Sequence, residues 1–467
     1  GGTAGAGWQT YTWQPGDPAE WKALDGKRYH TYFDDASWGP KMDGSEYIPW
    51  YAWIPGSQYS FKTASLTPQP DNIKNFYNNG QNILNNVAFN RGGSDYTVRL
   101  SYTNQYQTGL IPSSNLKRNF LSSQMSYDIT KHFTAFADVN YVNQKINGEF
   151  SDTYGNNASG SFNSWFHRDL NTDILKELKD LRTPTGAIPG WNLEDGTPGR
   201  PDAKYFYAGT AYWTNPFTYF DLISAVNTQD RLYGNAGLTY TLNPHFKITG
   251  TARRNQRNTH YESKLQYIFE FSTEDLQSAL AINANAGTRP VTATYRTYDV
   301  RQVESNYEFL ASYNQKFGQL ALDANFGGNV RRNDYSSLDN GTKGGLVVPD
   351  FFNLANSKVT PFYFATTRTK KIVRSLYGSV DLNWNNTLIV NGTLRNDWSS
   401  ALPVNNNSYL YPSIGASFIF SKYIDKSLPW LSFGKISATW AEAVSDFDPY
   451  SLNLLYGVGT NQFNGNI

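Results

Sequence analysis

The segment Leu376-Tyr377-Gly378-Ser379-Val380-Asp381-Leu382-Asn383-Trp384 alternates between apolar and polar side chains. Successive side chains of a β-strand point to opposite faces, so Val380 and Leu382 share one face while Asp381 and Asn383 share the other. One face suits lipid and the other suits water. This is the pattern of a strand in a transmembrane β-barrel.

The same strand unit recurs in pairs that are joined by short polar turns. The predicted turns are Asn385-Asn386, Thr130-Lys131-His132, Asn243-Pro244-His245 and Lys316-Phe317-Gly318. An outer-membrane strand needs about 9 to 11 tilted residues, with tight turns on the periplasmic side and longer loops outside. The predicted fold class is therefore all-β, a transmembrane antiparallel β-barrel whose long extracellular loops carry short helices. The side chains predicted to face its lumen are Asp138, Asn140, Asp381, Asn383, Asn391 and Arg395.

The composition agrees with this prediction. The 467 residues are 16% aromatic and only 17% charged, with a mean hydropathy of -0.56. A barrel is polar on average because half of each strand faces water, and Tyr and Trp suit the two interfaces of a bilayer. The sequence has no apolar run near the roughly 18 residues of a helical span. A net charge of +1 gives no electrostatic footprint for nucleic acid.

Long excursions separate the predicted strand pairs. They cover residues 1–81, about 146–229, about 255–303 and about 331–371, so we divide the chain into an aromatic-rich extracellular excursion (1–81) and the strands and loops of the barrel (82–467). Short helices are predicted behind Asp71, ending at Gly80, and behind Asn171-Thr172, ending at Pro184. A third helix is predicted to start at Ser272-Thr273.

The first excursion is dense in large rings. Trp38, Trp50, Tyr51 and Trp53 lie close together in a region otherwise rich in Gly, Pro and Asp. Flat rings present apolar area at low entropic cost, so these four residues are candidates for contact with a substrate or a docking lid. Alternatively, the rings form a small core of the loop or belong to the interfacial girdle.

Residues that could carry enzymatic chemistry are sparse. The five His residues lie singly, with no two at a spacing of three or four, so a helical zinc site is not expected. Glu442, Asp446 and Asp448 could form a carboxylate cluster, although solvated loop carboxylates are the simpler interpretation. We predict no catalytic residue, no metal and no cofactor.

The order of several segments resembles one known family. These segments are 37–44 (SWGPKMDG), 70–76 (PDNIKNF), 109–119 (GLIPSSNLKRN), 161–168 (SFNSWFHR), 394–400 (LRNDWSS), 411–413 (YPS) and 440–450 (WAEAVSDFDPY). In this order they resemble the SusC/RagA family of TonB-dependent outer-membrane transporters of the Bacteroidetes, and they span nearly the whole chain.

The resemblance implies a 22-stranded barrel in the cell outer membrane, with a plug and a TonB-contact segment that would precede these residues. It also implies a SusD-like lipoprotein as a hinged lid, and an oligosaccharide or an oligopeptide as substrate. We expect the chain to be an internal piece of such a barrel, because its last residues end in a polar loop and an open sheet edge cannot face lipid. Alone, it should then not close into a heat-resistant barrel.

Two other function classes stay open at this point. A passive porin or adhesin-like outer-membrane protein would show the same strands without energy coupling. A soluble all-β carbohydrate-binding protein would also alternate, but with its apolar faces turned inward. Dependence on detergent separates the soluble alternative from the membrane alternatives.

Overall fold

The structure is a computed structural model that describes residues 8–30, 39–148, 167–193, 200–207, 215–266, 293–359, 363–424 and 430–452. Four short strands and four helices precede or interrupt one large sheet. The short strands are β1 (Gln9–Thr10), β2 (Arg28–Tyr29), β3 (Glu46–Tyr47) and β4 (Ala64–Ser65), and the helices are α1 (Asn72–Phe76), α2 (Thr172–Glu177), α3 (Ala203–Phe206) and α4 (Pro216–Leu222). None of the described helices is both long and apolar enough to cross a bilayer.

Twelve strands form the large sheet. They are β5 (Asn82–Gly92), β6 (Tyr96–Thr108), β7 (Asn115–Asp128), β8 (Phe133–Asn147), β9 (Ile223–Asn243), β10 (Phe246–Leu265), β11 (Thr294–Phe317), β12 (Leu320–Gly341), β13 (Tyr363–Trp384), β14 (Leu388–Ser399), β15 (Ser408–Phe418) and β16 (Ile436–Ala441). Each pairs antiparallel with its neighbour in the chain, so the order runs from β5 to β16 without a crossover. This is the up-and-down arrangement that the alternation predicts.

Tight turns close the hairpins on one side of the sheet. Asn385 and Asn386 adopt φ angles of 52° and 51°, as a two-residue turn between twisted strands requires. The turns at Thr130-Lys131-His132 and Asn243-Pro244-His245 also fall between strands, which confirms those predictions. The fourth turn lies at Gly318-Gln319, slightly beyond the predicted position, because β11 continues through Phe317.

The strands are much longer than the apolar band on one of their faces. On β12 that face carries Leu320, Leu322, Phe326 and Val330 and then changes to Arg332, which pairs with Asp334 at 2.7 Å. The band thus has the length expected for a bilayer, whereas the whole strand of 22 residues spans roughly 70 Å at about 3.3 Å per residue. The second half of the strand extends beyond the band.

Two of the predicted loops are therefore too long. The loop placed at 255–303 is shorter because β10 runs to Leu265 and β11 begins at Thr294. The loop placed at 331–371 is shorter because β12 runs to Gly341 and β13 begins at Tyr363. Beyond the band most side chains on both strand faces are polar, with exceptions such as Leu338 and Phe364, so the alternation fades while the ladder of backbone hydrogen bonds continues.

The first two excursions fold together around one aromatic core. Its buried members include Tyr11, Trp21 and Trp53 from the first excursion and Trp191 and Phe206 from the second. The large sheet starts at Asn82, directly after the first excursion. Residues 1–81 therefore do not pack as a separate unit: their core is shared with residues 170–220.

The predicted helices are only partly correct. Helix α2 begins behind Asn171, whose side chain accepts hydrogen bonds from the Asp173 and Ile174 N–H groups, as predicted. Helix α1 is shorter than predicted and ends at Phe76 instead of Gly80. Asp71, at the N-cap position before the helix, makes no side-chain cap hydrogen bond, and its carboxylate instead lies 3.8 Å from Lys74 Nζ. The predicted helix start at Ser272 lies outside the described residues.

Candidate functional site

The polar face of the large sheet brings the predicted lumen-facing residues onto one surface. Directly opposed residues of paired strands share a face. Asp381 opposes Asp323 on one side and Asn391 on the other, while Asp138 opposes Gln124 and Asn235. Followed across the ladder, the six share one face: Asp138, Asn140, Asp381, Asn383, Asn391 and Arg395.

A network of charged side chains crosses this polar face. Glu308 on β11 pairs with Arg253 on β10 and accepts a hydrogen bond from the Tyr377 hydroxyl on β13. The guanidinium of Arg395 on β14 lies 5.6 Å from the centre of the Tyr377 ring and 2.7 Å from Asp397. Four strands are therefore connected by side chains as well as by their backbones.

Gly327 makes room for this network. A Cβ atom at this position would lie 2.8 Å from the Tyr377 ring and 2.8 Å from the Phe309 carbonyl oxygen. The absence of a side chain leaves space for the Tyr377 ring beside Gly327, from where its hydroxyl reaches Glu308. A strand glycine thus positions a polar group on the face predicted to line the lumen.

The segment after β16 folds back onto the same face. Asp446 Oδ2 lies 2.7 Å from Lys371 Nζ and accepts a hydrogen bond of 2.7 Å from the Ser399 hydroxyl. Burial acts to raise the pKa of Asp446, but the hydrogen bonds from Lys371, Ser399 and the Phe447 N–H outweigh it and hold that pKa below its usual value. Asp446 therefore joins two strands, and among the described residues it forms no potential metal site with Glu442 and Asp448.

A cavity of about 540 Å³ opens beside this contact. Its lining includes the cations Arg231, Arg257 and Lys371 and the carboxylates Glu304 and Asp448. Arg231, Arg257, Glu304 and Lys371 lie in the strand halves that extend past the apolar band, toward the long loops, and Asp448 lies in the segment after β16. The cavity thus presents charges of both signs at the loop end of the polar face.

The structure limits what the predicted aromatic contact residues can do. Trp53 is fully buried and Trp50 is 7% exposed, and the Trp53 ring packs 4.8 Å from Trp21 and 5.0 Å from Tyr11. Such enclosed rings hold the loop core together and present no free face. Contact of these residues with a substrate or a lid remains a prediction. Tyr51 is only half-buried, so it keeps surface that could make such a contact. Trp38 lies outside the described residues.

Tyr51 stands at the edge of the core. Its ring lies 5.5 Å from Trp50 and 5.3 Å from Tyr59. Burial, together with the nearby Tyr59 and the negative charge of Asp169, raises the pKa of its hydroxyl to about 12. The hydroxyl is therefore protonated at neutral pH and can donate a hydrogen bond.

One cluster was not expected from the sequence. His30 Nε2 lies 3.4 Å from Asp169 Oδ2, and the rings of His30 and His167 are 5.1 Å apart. Tyr47 donates a hydrogen bond of 2.8 Å to the same Asp169 oxygen. Burial acts to raise the pKa of Asp169, but the two His residues and Tyr47 overcome it and hold that pKa well below its usual value. His30 and His167 are far apart in the chain, so no local spacing could reveal the cluster.

No family model and no curated protein matches the chain by sequence. Solved structures do match by fold. The RagAB peptide importer in its 'closed-closed' state has a TM-score of 0.55 at 16% identity, over 80% of this chain and 38% of that chain. The 'open-open' state gives 0.55 and 16% over 79% and 37%, and a further RagAB peptide transporter structure gives 0.54 and 16% over 84% and 38%.

At this identity the likeness establishes the fold. The chain spans less than two fifths of the RagAB chains that it matches. Together with the antiparallel sheet of twelve strands and the apolar band on one of its faces, the likeness confirms the predicted fold class, an all-β transmembrane antiparallel barrel with long loops.

Proposed function

We propose that the chain is part of a TonB-dependent importer in the cell outer membrane, of the SusC/RagA type, which takes up an oligomeric nutrient. The observation that carries this proposal is the division of the sheet into one face with an apolar band and an opposite face with charged side chains. A soluble all-β protein would bury its apolar face, whereas here Val87, Phe326 and Leu394 are more than half exposed. Lipid is the solvent that such a band requires.

An oligopeptide is the substrate class that we favour. The cavity on the polar face carries Arg and Lys side chains beside carboxylates, and a peptide brings a positive amino terminus and a negative carboxylate to such a surface. A neutral oligosaccharide would bring no charge to Arg231 and Arg257, which donate to the uncharged amide oxygens of Asn255 and Gln302. The fold likeness to a peptide importer agrees with this choice.

We further propose that the aromatic core of the two excursions supports a docking surface for a SusD-like lipoprotein. A rigid core beneath a loop surface lowers the entropic cost of binding a partner. Tyr51 at its edge, with a protonated hydroxyl and an accessible ring, is the predicted contact.

Uptake measurements test the importer proposal. Cells that carry the full-length protein should accumulate a fluorescent oligopeptide more than a fluorescent maltooligosaccharide, and uptake should stop when TonB is depleted. Uptake that persists without TonB would make the protein a passive porin. A protein that is recovered in the soluble fraction without detergent would overturn the membrane assignment.

Paired variants test the cavity. Arg231→Gln combined with Arg257→Gln should reduce peptide uptake about 10-fold or more, because each change removes a charge-assisted contact of about 1.5–3 kcal/mol. The matched control is Arg254→Gln, since Arg254 is exposed on the opposite face of the same strand as Arg257. Equal loss in the control and the double variant would exclude the cavity as the peptide path.

Tyr51→Ala tests the docking surface. Co-purification of the lipoprotein and capture of peptide should fall, while the barrel still resists SDS at room temperature. Ala replacement of Tyr205 is the control, because Tyr205 belongs to the second excursion and is only half-buried. Unchanged co-purification would mean that Tyr51 packs within the loop and does not contact the lipoprotein.

A further inference from the structure

We propose that His30, His167 and Asp169 form a binding site for a transition-metal dication, with Zn²⁺ as the expected ion. Each residue offers one ligand atom, and these atoms all lie within 4.8 Å of one another. The proposal is independent of the importer function. It concerns two loops that no disulfide can join, since the chain contains no Cys.

The geometry suits a tetrahedral ion. Zn²⁺ binds His nitrogen and Asp oxygen at about 2.0–2.2 Å, which places ligand atoms roughly 3.4 Å apart. His30 Nε2 and Asp169 Oδ2 are already separated by 3.4 Å. The widest separation in the cluster must shorten by somewhat more than 1 Å, roughly the reach of a side-chain rotation that leaves the backbone in place.

Tyr47 contacts two of the three residues and would hold them in place as metal ligands. The Tyr47 hydroxyl donates to Asp169 at 2.8 Å, and the Tyr47 ring stacks on His30 with a centroid distance of 5.7 Å and an angle of 16°. Partners of this kind fix the orientation of metal ligands before the ion arrives. The side chains of His30 and Asp169 are each only 11% exposed, so the bound ion would be largely shielded from competing water.

The ligand types point to the chemical class of the ion. Two imidazoles and one carboxylate form a set that selects zinc and its neighbours among the first-row metals over calcium or magnesium, which prefer oxygen alone. A dication also compensates the buried Asp169 carboxylate while both imidazoles stay neutral, the form in which His binds metal. A fourth position would be left for water.

The site would join the two excursions. His30 follows β2 in the first, whereas His167 and Asp169 precede α2 in the second. Other contacts already cross this boundary nearby, including the hydrogen bond of 2.7 Å from the Thr172 hydroxyl to the Asn72 carbonyl oxygen. A metal bound here would therefore link the two excursions that share the aromatic core, as disulfides link loops in other proteins.

The direct test is metal binding by the full-length protein in detergent, after chelator treatment and removal of any affinity tag. Calorimetric titration should find about one tight Zn²⁺ site per chain, and Co²⁺ should give the visible absorption of a tetrahedral site. Zn²⁺ binding should weaken at least about 100-fold in each of the variants His30→Ala, His167→Ala and Asp169→Asn. Loss of a ligand costs more affinity than loss of a residue that only hydrogen-bonds to a ligand.

A matched control and a second readout keep the test decisive. His260 Nδ1 lies 2.7 Å from Asp299 Oδ1, with both side chains 50% exposed, so this pair offers the same residue types without the second His of the proposed site. His260→Ala should leave Zn²⁺ binding unchanged. Zn²⁺ should also slow tryptic cleavage of the excursions in the wild-type protein and not in His167→Gln, whose conservative change keeps a polar side chain. Absence of tight binding in the wild-type protein, or equal binding in the variants and the wild type, would overturn the proposal.

Discussion

At the scale of single residues, the position in the alternation decides the environment of a side chain. Val380 is 43% exposed and opposes Ala324 and Gly392, so a large polar group there would point away from the sheet on its apolar face. Its neighbour Asp381 opposes Asp323 and Asn391 on the polar face. Adjacent residues are thus expected to meet lipid and water respectively.

The first prediction compares these two neighbours. Val380→Arg should lower the free energy of unfolding by about 2–4 kcal/mol if the position lies near the bilayer midplane, because the charge must be removed from water. Asp381→Arg should lower it far less. Urea titration in lipid vesicles measures both values, and equal losses would contradict the assignment of the two faces.

The second prediction concerns Glu308, which serves two partners. Its side chain is 18% exposed, and Glu308→Ala would leave the Arg253 guanidinium and the Tyr377 hydroxyl without their shared acceptor. We expect the free energy of unfolding to fall by about 1.5–3 kcal/mol. Glu304→Ala is the control on the same strand and face, and as a change at an exposed position it should stay within about 0.5 kcal/mol. A similar loss in both variants would mean that the network adds no stability.

At the scale of elements, polar side chains hold the tight turns between the strands. The turn at His245 is fixed by Asn243, whose side chain accepts hydrogen bonds of 2.9 Å from the His245 and Phe246 N–H groups. His245 in turn contacts the Asn314 carbonyl oxygen of the next hairpin at 3.0 Å, and His132 contacts the Thr241 carbonyl oxygen at 2.7 Å in the same way. His132 and His245 lie in polar turns, as predicted. They also connect each hairpin to the next one.

The third prediction tests a turn residue. Asn386→Val should destabilise the hairpin of β13 and β14 by about 1–2 kcal/mol, because a β-branched residue disfavours a φ of 51°. Asn386→Gly should be neutral or mildly stabilising at the same position. Refolding yield into detergent micelles reports both effects, and equal yields for Val and Gly would show that the turn conformation does not limit assembly.

At the scale of the whole molecule, the excursions form a second folded region beside the sheet. Asp17 from the first excursion pairs with Arg200 from the second and accepts a hydrogen bond of 2.8 Å from the Tyr11 hydroxyl. Burial acts to raise the pKa of Asp17, but bonds from Arg200, the Gln14 N–H and Tyr11 outweigh it and lower that pKa below its usual value. The side chain of Asp17 is only 10% exposed, so the pair is a structural link between the loops.

The fourth prediction follows from the direction of this pKa shift. A carboxyl whose pKa is lower in the folded state stabilises that state above about pH 3.9 and loses the contribution as the pH falls through the folded pKa. Asp17→Asn should therefore weaken the excursions by about 2 kcal/mol at pH 7 and progressively less as the pH falls below about 3.9 toward the lowered folded pKa. Urea unfolding followed by Trp fluorescence measures this difference, because the excursions carry Trp21, Trp53 and Trp191. A difference that does not change with pH would contradict the role of the ion pair.

The sequence by itself determined the sheet. Alternation around Val380 and the turn at Asn385-Asn386 specify strand faces and hairpins, because a period of two and a preference for positive φ are properties of neighbouring residues. The polar face of Asp138, Asp381 and Arg395 followed from the same local rule.

Only the tertiary structure decided the remaining features. The extension of β12 to Gly341 depends on backbone pairing with β11 and β13 after the side-chain pattern has ended. The burial of Trp53 and the meeting of His30 with Asp169, which are 139 residues apart, depend on how two loops pack together. Contacts of this kind are set by the competition of many distant surfaces for burial, and no short window of sequence contains that information.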